Sequence, residues 1–292
     1  MPAAAAMPNN NFDLISIVLQ LKPIAIPQPQ NVRHFWGYAA YAMLLNHLQT
    51  LDATLAQQIH DSQQPAPMTT SNLMGRMQAG KLLPDASYRL RLTAYNQQLS
   101  AYLLQMIQPQ GSLGVGRQIE LDYTPFLVQN VFTDSRQDPW ANLSSYQQLS
   151  QQSLLITAPD RRVHLKIFTP AFFKHNSQLL PFPLPAVLIH NLLEKWNQHG
   201  PVAFPEELKR YADQCLVISK YELQTRIAEL PNQVKRPGAV GEITYGTTNY
   251  DRYWMSLVHT LLQFAFYAGI GKHTSLGLGQ ARVITPDQDQ TI

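Results

Sequence analysis

The stretch Gly269-Ile270-Gly271-Lys272-His273-Thr274-Ser275-Leu276-Gly277-Leu278-Gly279 packs four of the chain's 14 glycines around a short polar core. Upstream, Trp254, Leu257, Val258, Leu261, Leu262 and Ala265 recur at the spacing of a buried helix face. Downstream, Gln280 to Ile284 reads as a short closing strand. Helix, glycine loop, strand reverses the order around a P-loop, in which Gly-x-x-x-x-Gly-Lys-Ser/Thr joins a strand to a helix. Phe266 also occupies the first glycine position of that pattern, and His273 follows the lysine. The dinucleotide fingerprint fails as well, because Thr274 stands where the third glycine should be. What remains is a loop whose missing Cβ atoms admit another backbone, with free N–H groups and Lys272 offered to an anion. A plain helix C-cap would need one glycine rather than four.

Working outward, Pro185 to Asn197 reads as a helix, and Leu216 to Glu229 and Val240 to Thr247 as strands ahead of the long helix. Ser153 to Ile167 reads as a hairpin turning at Pro159-Asp160. Residues 134–152 are polar, glutamine-rich and broken at Asp138-Pro139, and read as a linker. Before it, Phe12 to Leu21 alternates as a strand, and His34 to Thr50 forms a helix. Asp52 caps a shorter helix ending at His60, beyond which Pro65 and Pro67 forbid continuation. Met68 to Met77 and Ser87 to Ala94 read as strands, Asn96 to Ile107 as a helix, and Leu113 to Leu127 as a further extended stretch. The sum is β-α-β-β-α-β, the ferredoxin-like order, and the second half repeats it loosely. The expectation is an α+β chain of two tandem ferredoxin-like domains, 1–133 and 153–292, with Met1 to Asn11 a disordered leader.

The composition excludes several classes. No apolar run reaches the length of a membrane span, so no membrane partner is expected. The single Cys215 excludes a disulfide framework and a paired-Cys zinc site, and fits a reducing cytoplasm. A net charge of +3 permits an anionic partner without demanding one, and glutamines outnumber Lys and Arg combined. Any phosphate grip must therefore come from local clusters such as Arg161-Arg162 and Lys235-Arg236. His190 and His199 lack metal-ligand spacing, and there is no His-Glu-x-x-His or Gly-x-Ser-x-Gly motif, so neither a metal nor a cofactor is expected.

Phe264-Ala265-Phe266-Tyr267 running into Gly269-Ile270-Gly271, then Thr274-x-x-Gly277-x-Gly279, resembles the C-terminal glycine-rich loop of the RAMP superfamily. Within it the chain is most similar to the family-six Cas endoribonuclease, which cuts CRISPR repeat transcripts into guide RNAs. Phe168-Thr169-Pro170-Ala171-Phe172-Phe173, Leu180 to Pro185, Leu192 to Asn197 and Gly238 to Tyr245 resemble its central segment and the strand before its last helix. His60-Asp61, followed by Met68-Thr69-Thr70-Ser71, resembles its His-acidic segment leading to Phe-Thr-x-Ser, with Met68 in place of the aromatic.

The resemblance implies a metal-independent endoribonuclease acting on precursor crRNA, leaving a 5′-hydroxyl and a 2′,3′-cyclic phosphate. It assigns the catalytic histidine to His60, since an imidazole titrating near neutrality suits proton transfer to or from the 2′-OH and the leaving oxygen. The positions of the family's tyrosine and lysine hold Leu45 and Ala66 here, so that triad does not transfer. Tyr38, Tyr41, His47, Arg76 and Lys81 are the candidate helpers. For RNA binding the expected residues are Gly269, Gly271, Lys272, His273, Thr274, Ser275, Gly277, Gly279 and Arg282, with Arg161, Arg162, Lys235 and Arg236. Two further options stay open: a RAMP subunit that holds guide RNA in an effector complex without cutting, and a homodimer. A nucleotide-binding enzyme using the glycine loop is disfavoured by the loop's order.

Overall fold

A computed structural model describes residues 12–28, 35–62, 65–230 and 234–285. The leader expected at Met1 to Asn11 and the helix start expected at His34 lie outside them. Internal contacts divide the chain into two units, Met1–Met68 with Asn72–Ser145, and Thr69–Ser71 with Tyr146–Ile292.

The first unit runs β1 (Leu14–Pro23), α1 (Gly37–Leu51), α2 (Ala53–Asp61), β2 (Met68–Thr70), β3 (Tyr88–Ala94), α3 (Gln97–Met106), β4 (Gln118–Leu121), β5 (Thr124–Phe132) and β6 (Asn142–Ser144). Its sheet has the order β2-β3-β1-β5-β4, with β6 also on β1. Setting aside β4 and β6, this is the ferredoxin-like arrangement, with the first strand flanked by the third and the last. Ile15, Ile17, Leu19 and Leu21 alternate along β1 toward a core shared with Met43, Leu44 and Leu48 of α1 and Leu99 and Leu103 of α3. Each such side chain contributes on the order of 1.5–3 kcal/mol by leaving water.

Three expectations need correction. The strand read from Met68 to Met77 stops at Thr70, because the Asn72 side chain accepts the N–H groups of Trp36 and Leu73 and turns the backbone away. The extended stretch from Leu113 to Leu127 is broken into β4 and β5 by Asp122 and Tyr123, both left-handed at φ 48° and 61°. The residues read as a linker and a hairpin carry β6 and a helix, α4 (Tyr146–Leu154), which buries Tyr146 and Leu149 while its glutamines face water.

The second unit continues through β7 (Arg162–Ala171), β8 (Phe173–His175), β9 (Gln178–Leu180), α5 (Pro185–His199), α6 (Glu207–Cys215), β10 (Leu216–Glu229), β11 (Lys235–Thr247), α7 (Arg252–Ala268) and β12 (Ala281–Val283). The sheet order β10-β11-β7-β12 is antiparallel throughout and is again ferredoxin-like. Asp251 caps α7 by accepting the N–H of Trp254 at 3.0 Å. The apolar stripe read from the sequence is buried, with Val258, Leu261, Leu262 and Ala265 at zero exposure. Trp196 of α5 joins this core edge-on to Phe264 and stacked on Phe204. No helix among the described residues is long and apolar enough to cross a membrane.

Candidate functional site

The glycine loop leaves α7 at Gly269 and returns to β12, packed on its own unit at almost every amide. Ile270 N–H donates to Gly279 at 2.8 Å, Lys272 N–H to Phe172 at 3.0 Å, and Gly279 N–H to Pro170 at 3.0 Å. The Asn191 side chain accepts Gly271 N–H at 2.8 Å. The loop is therefore not the row of free donors that its composition suggested. Within residues 269–279 only the amides of His273, Thr274 and Ser275, opening a single 3₁₀ turn, lack a protein acceptor. Close approach is the reason for glycine here. A Cβ on Gly271, at φ +75°, would lie 2.3 Å from Phe172 O, and one on Gly279, at φ +63°, would lie 1.9 Å from Ile270 O.

Two anchors escaped the sequence reading. Lys195 of α5 is buried and donates from Nζ to Ala268 O and Gly269 O, both at 3.0 Å, capping the last carbonyls of α7. Burial, with a smaller contribution from the charge of Lys272, lowers its pKa to about 7. Thr70 Oγ1 donates to Ser275 O at 2.9 Å, and Gln280 Nε2 donates to Thr70 O at 3.0 Å. The Thr69-Thr70-Ser71 segment is thus bonded to the glycine loop, which is why contacts assign it to the second unit. A lysine in an apolar helix pattern and a pair some 205 residues apart leave no local signal in the sequence.

The basic candidates separate into groups. Lys272 and His273 are exposed on the loop, and Arg236 lies near enough to contribute to His273's low pKa, which burial and then Lys272 depress more strongly. Lys235 faces Glu229 at 4.0 Å. Arg282 of β12 sets its guanidinium over Phe168 at 5.3 Å, and Lys166 approaches the same ring at 5.6 Å. Arg161 instead stacks on Tyr250 at 4.8 Å, and Arg162 begins β7 opposite Gly246. The structure gathers Lys272, His273 and Arg236. It does not bring the Arg161-Arg162 pair to the loop.

In the first unit His60 occupies the last turn of α2, whose start is capped by Asp52 accepting Leu55 N–H at 2.9 Å. Tyr102 of α3 donates to the same carboxylate at 2.9 Å and fixes that end of the helix. His60 Nδ1 lies 3.0 Å from Asp61 Oδ1, with both side chains largely exposed. Hydrogen bonds from His60 and then Gln57 hold the Asp61 carboxyl below the usual range, so it is an ionised acceptor at neutral pH. With Nδ1 donating to that carboxylate, a neutral imidazole has its lone pair on Nε2, the arrangement of a general base. Of the helpers, Tyr38 is exposed; Tyr41 is half-buried with its pKa raised by burial and by Tyr38; His47 is lowered by burial. Arg76 and Lys81 are exposed, whereas Leu45 and Ala66 are buried. Among the described residues no three His, Cys, Asp or Glu side chains gather as a metal ion requires.

A family model described as CRISPR-associated endoribonuclease Cas6 matches residues 165–281. A CRISPR-associated endoribonuclease Cas6 from Streptococcus thermophilus is 28% identical over 116 residues, 38% of this chain. The match spans just under half (46%) of that relative's length. Among solved structures, a Cas6 product complex is 24% identical with a TM-score of 0.73, covering 93% of this chain and 99% of that one. Thermus thermophilus Cas6 is 20% identical with a TM-score of 0.68, covering 94% and 100%. At those identities the solved structures establish a shared fold, and the family model matches less than half of the chain, in its C-terminal segment. Over residues 165–281 the chain is thus similar to the Cas6 endoribonucleases, and it shares the fold of the solved Cas6 structures.

Proposed function

We propose that the protein is an endoribonuclease that cuts CRISPR repeat RNA to release guide RNAs, using side chains and no metal. A base takes the 2′-OH proton, the oxygen attacks the adjacent phosphorus, and the bond to the 5′-oxygen breaks as that oxygen is protonated. The ends are a 2′,3′-cyclic phosphate and a 5′-hydroxyl. His60 is the proton-transfer group, with Asp61 holding its tautomer. Lys272, His273 and Arg236, with the amides that open the turn at His273, Thr274 and Ser275, bind the RNA backbone. The observation that carries this reading is the exposed His60–Asp61 pair at 3.0 Å, on the segment that resembles the family's His-acidic motif.

The test is incubation of the protein with the labelled repeat RNA encoded beside its gene, in EDTA. A second RNA carries a 2′-deoxy sugar at the cut position. Cleavage of the first, none of the second, and a terminus resistant to phosphatase until acid opens the cyclic phosphate are the expected results. Cutting abolished by EDTA would overturn the side-chain mechanism. The second reading is a non-catalytic RAMP subunit that holds guide RNA in an effector complex. Buried Leu45 and Ala66, at the positions of the family's tyrosine and lysine, favour it. Tight binding with no cut under these conditions would select it. Size-exclusion chromatography of the free and RNA-bound protein decides between monomer and homodimer.

A further inference from the structure

We infer that a cavity of about 330 Å³ beside the glycine loop is a pocket for one unpaired guanine nucleotide of the RNA. The inference rests on the RNA-binding part of the function proposed above and names a base that it leaves open. Three elements of the second unit wall the cavity: the β8–β9 hairpin with Lys174 and Asn176, α5 with Asn191 and Glu194, and the loop with Lys272. Its volume lies at the small end of ligand pockets, about 300–1,000 Å³, which suits one nucleotide.

The chemistry of the lining selects the ligand. Lys174, Lys272 and Glu194 line one cavity, yet among the described residues none of their three side chains has an ion-pair or hydrogen-bond partner. Both signs of charge are thus left for a molecule that carries an anion and also N–H donors. Asn191 and Glu194 lie one turn apart on one face of α5. Asn191 Oδ1 is occupied by Gly271 N–H, which leaves its Nδ2 as the donor facing outward from that bond. A carboxylate accepts only, and the guanine Watson–Crick edge offers it two adjacent donors, N1–H and the 2-amino group. The amide donor then suits O6. Adenine, cytosine and uracil each lack the paired donors. Splayed bases of single-stranded RNA are read on this edge, with phosphates gripped by cations. Here Lys174 and Lys272 are those cations.

The experiment is a methyl NMR titration of the full chain, with the Val187 methyls in the cavity wall as reporter. GMP, AMP, CMP, UMP, guanosine and inorganic phosphate are added separately. GMP should shift the Val187 methyls saturably and bind between about fivefold and a hundredfold tighter than the other three nucleotides, the discrimination typical of a bidentate base contact. Glu194→Gln, an exposed change, should abolish that preference. Lys174→Ala should weaken all four nucleotides alike and leave guanosine unchanged. No shift at Val187, an equal shift from inorganic phosphate, or a preference for GMP that survives Glu194→Gln would each overturn the inference. Loss of GMP binding in a protein that still cuts the repeat refutes the pocket alone. GMP binding in a protein that cuts nothing refutes the cleavage reading alone.

Discussion

His60 and Lys195 are both basic side chains steered by a neighbour, and they stand at opposite extremes of solvation. The His60 side chain is 71% exposed, so it contributes little to stability, and in the proposed reaction its part is proton transfer. His60→Ala should slow the cleavage step by roughly 10²–10⁴, the usual range for one proton-transfer group, with RNA affinity nearly intact. Single-turnover cleavage at the normal rate would leave His60 a helix terminus, and His47 would be tested next. Lys195 is 3% exposed and has the opposite character. Its folded pKa of about 7 lies below the ordinary lysine value, so between the two the unfolded chain holds the proton more fully. Stability therefore rises with pH through that window and does not respond to this group below it. Lys195→Met lacks the slope and strands two carbonyls, at about 1–3 kcal/mol each. The gap in Tm between wild type and variant should widen from about pH 6 to about pH 9, and a narrowing gap would remove the titration from the account.

At the scale of elements, the glycine loop is a packed turn, bonded to its own unit along most of its length. Gly271→Ala should cost the left-handed strain of about 1–2 kcal/mol plus about 1–3 kcal/mol for a Cβ set against Phe172 O. Gly116, at φ +83° with nothing within 4 Å of its missing Cβ, is the control that carries the strain alone. Equal losses for the two alanine variants in urea denaturation would mean that the loop is loosely seated. Much of this architecture was legible beforehand. The helix before the loop shows through its apolar period, α2 through its Asp52 cap, and β10 through its length. Other parts were hidden for identifiable reasons. Helix α4 was hidden because four glutamines make up its exposed face and leave it few apolar residues, and the β4–β5 turn because Asp122-Tyr123 is not among the usual glycine-bearing pairs. Local placement of His60 at a helix end could be read. The seating of the loop on Asn191, Lys195 and Thr70 could not, since each partner is remote in sequence and none is unusual for its own element.

For the whole molecule, a net charge of +3 leaves electrostatic binding to a small group of residues. RNA affinity should fall with salt, and Lys272→Ala should flatten the plot of log affinity against log salt by about 0.7, the single-strand value for one lost contact. An unaltered slope would place Lys272 off the backbone path. The tripeptide Thr69–Ser71 has a further consequence, for the timing of folding. The second unit claims it from within the sequence of the first, and its bonds reach Ser275 and Gln280, across separations of 205 and 210 residues. During synthesis, which delivers the N-terminal part first, Thr70 leaves the ribosome long before its partners exist. The last stretch of chain to emerge therefore completes a contact begun near the start, and a ribosome stalled before Ser275 would hold a protein whose Thr70, Asn191 and Lys195 stand ready without the loop they seat.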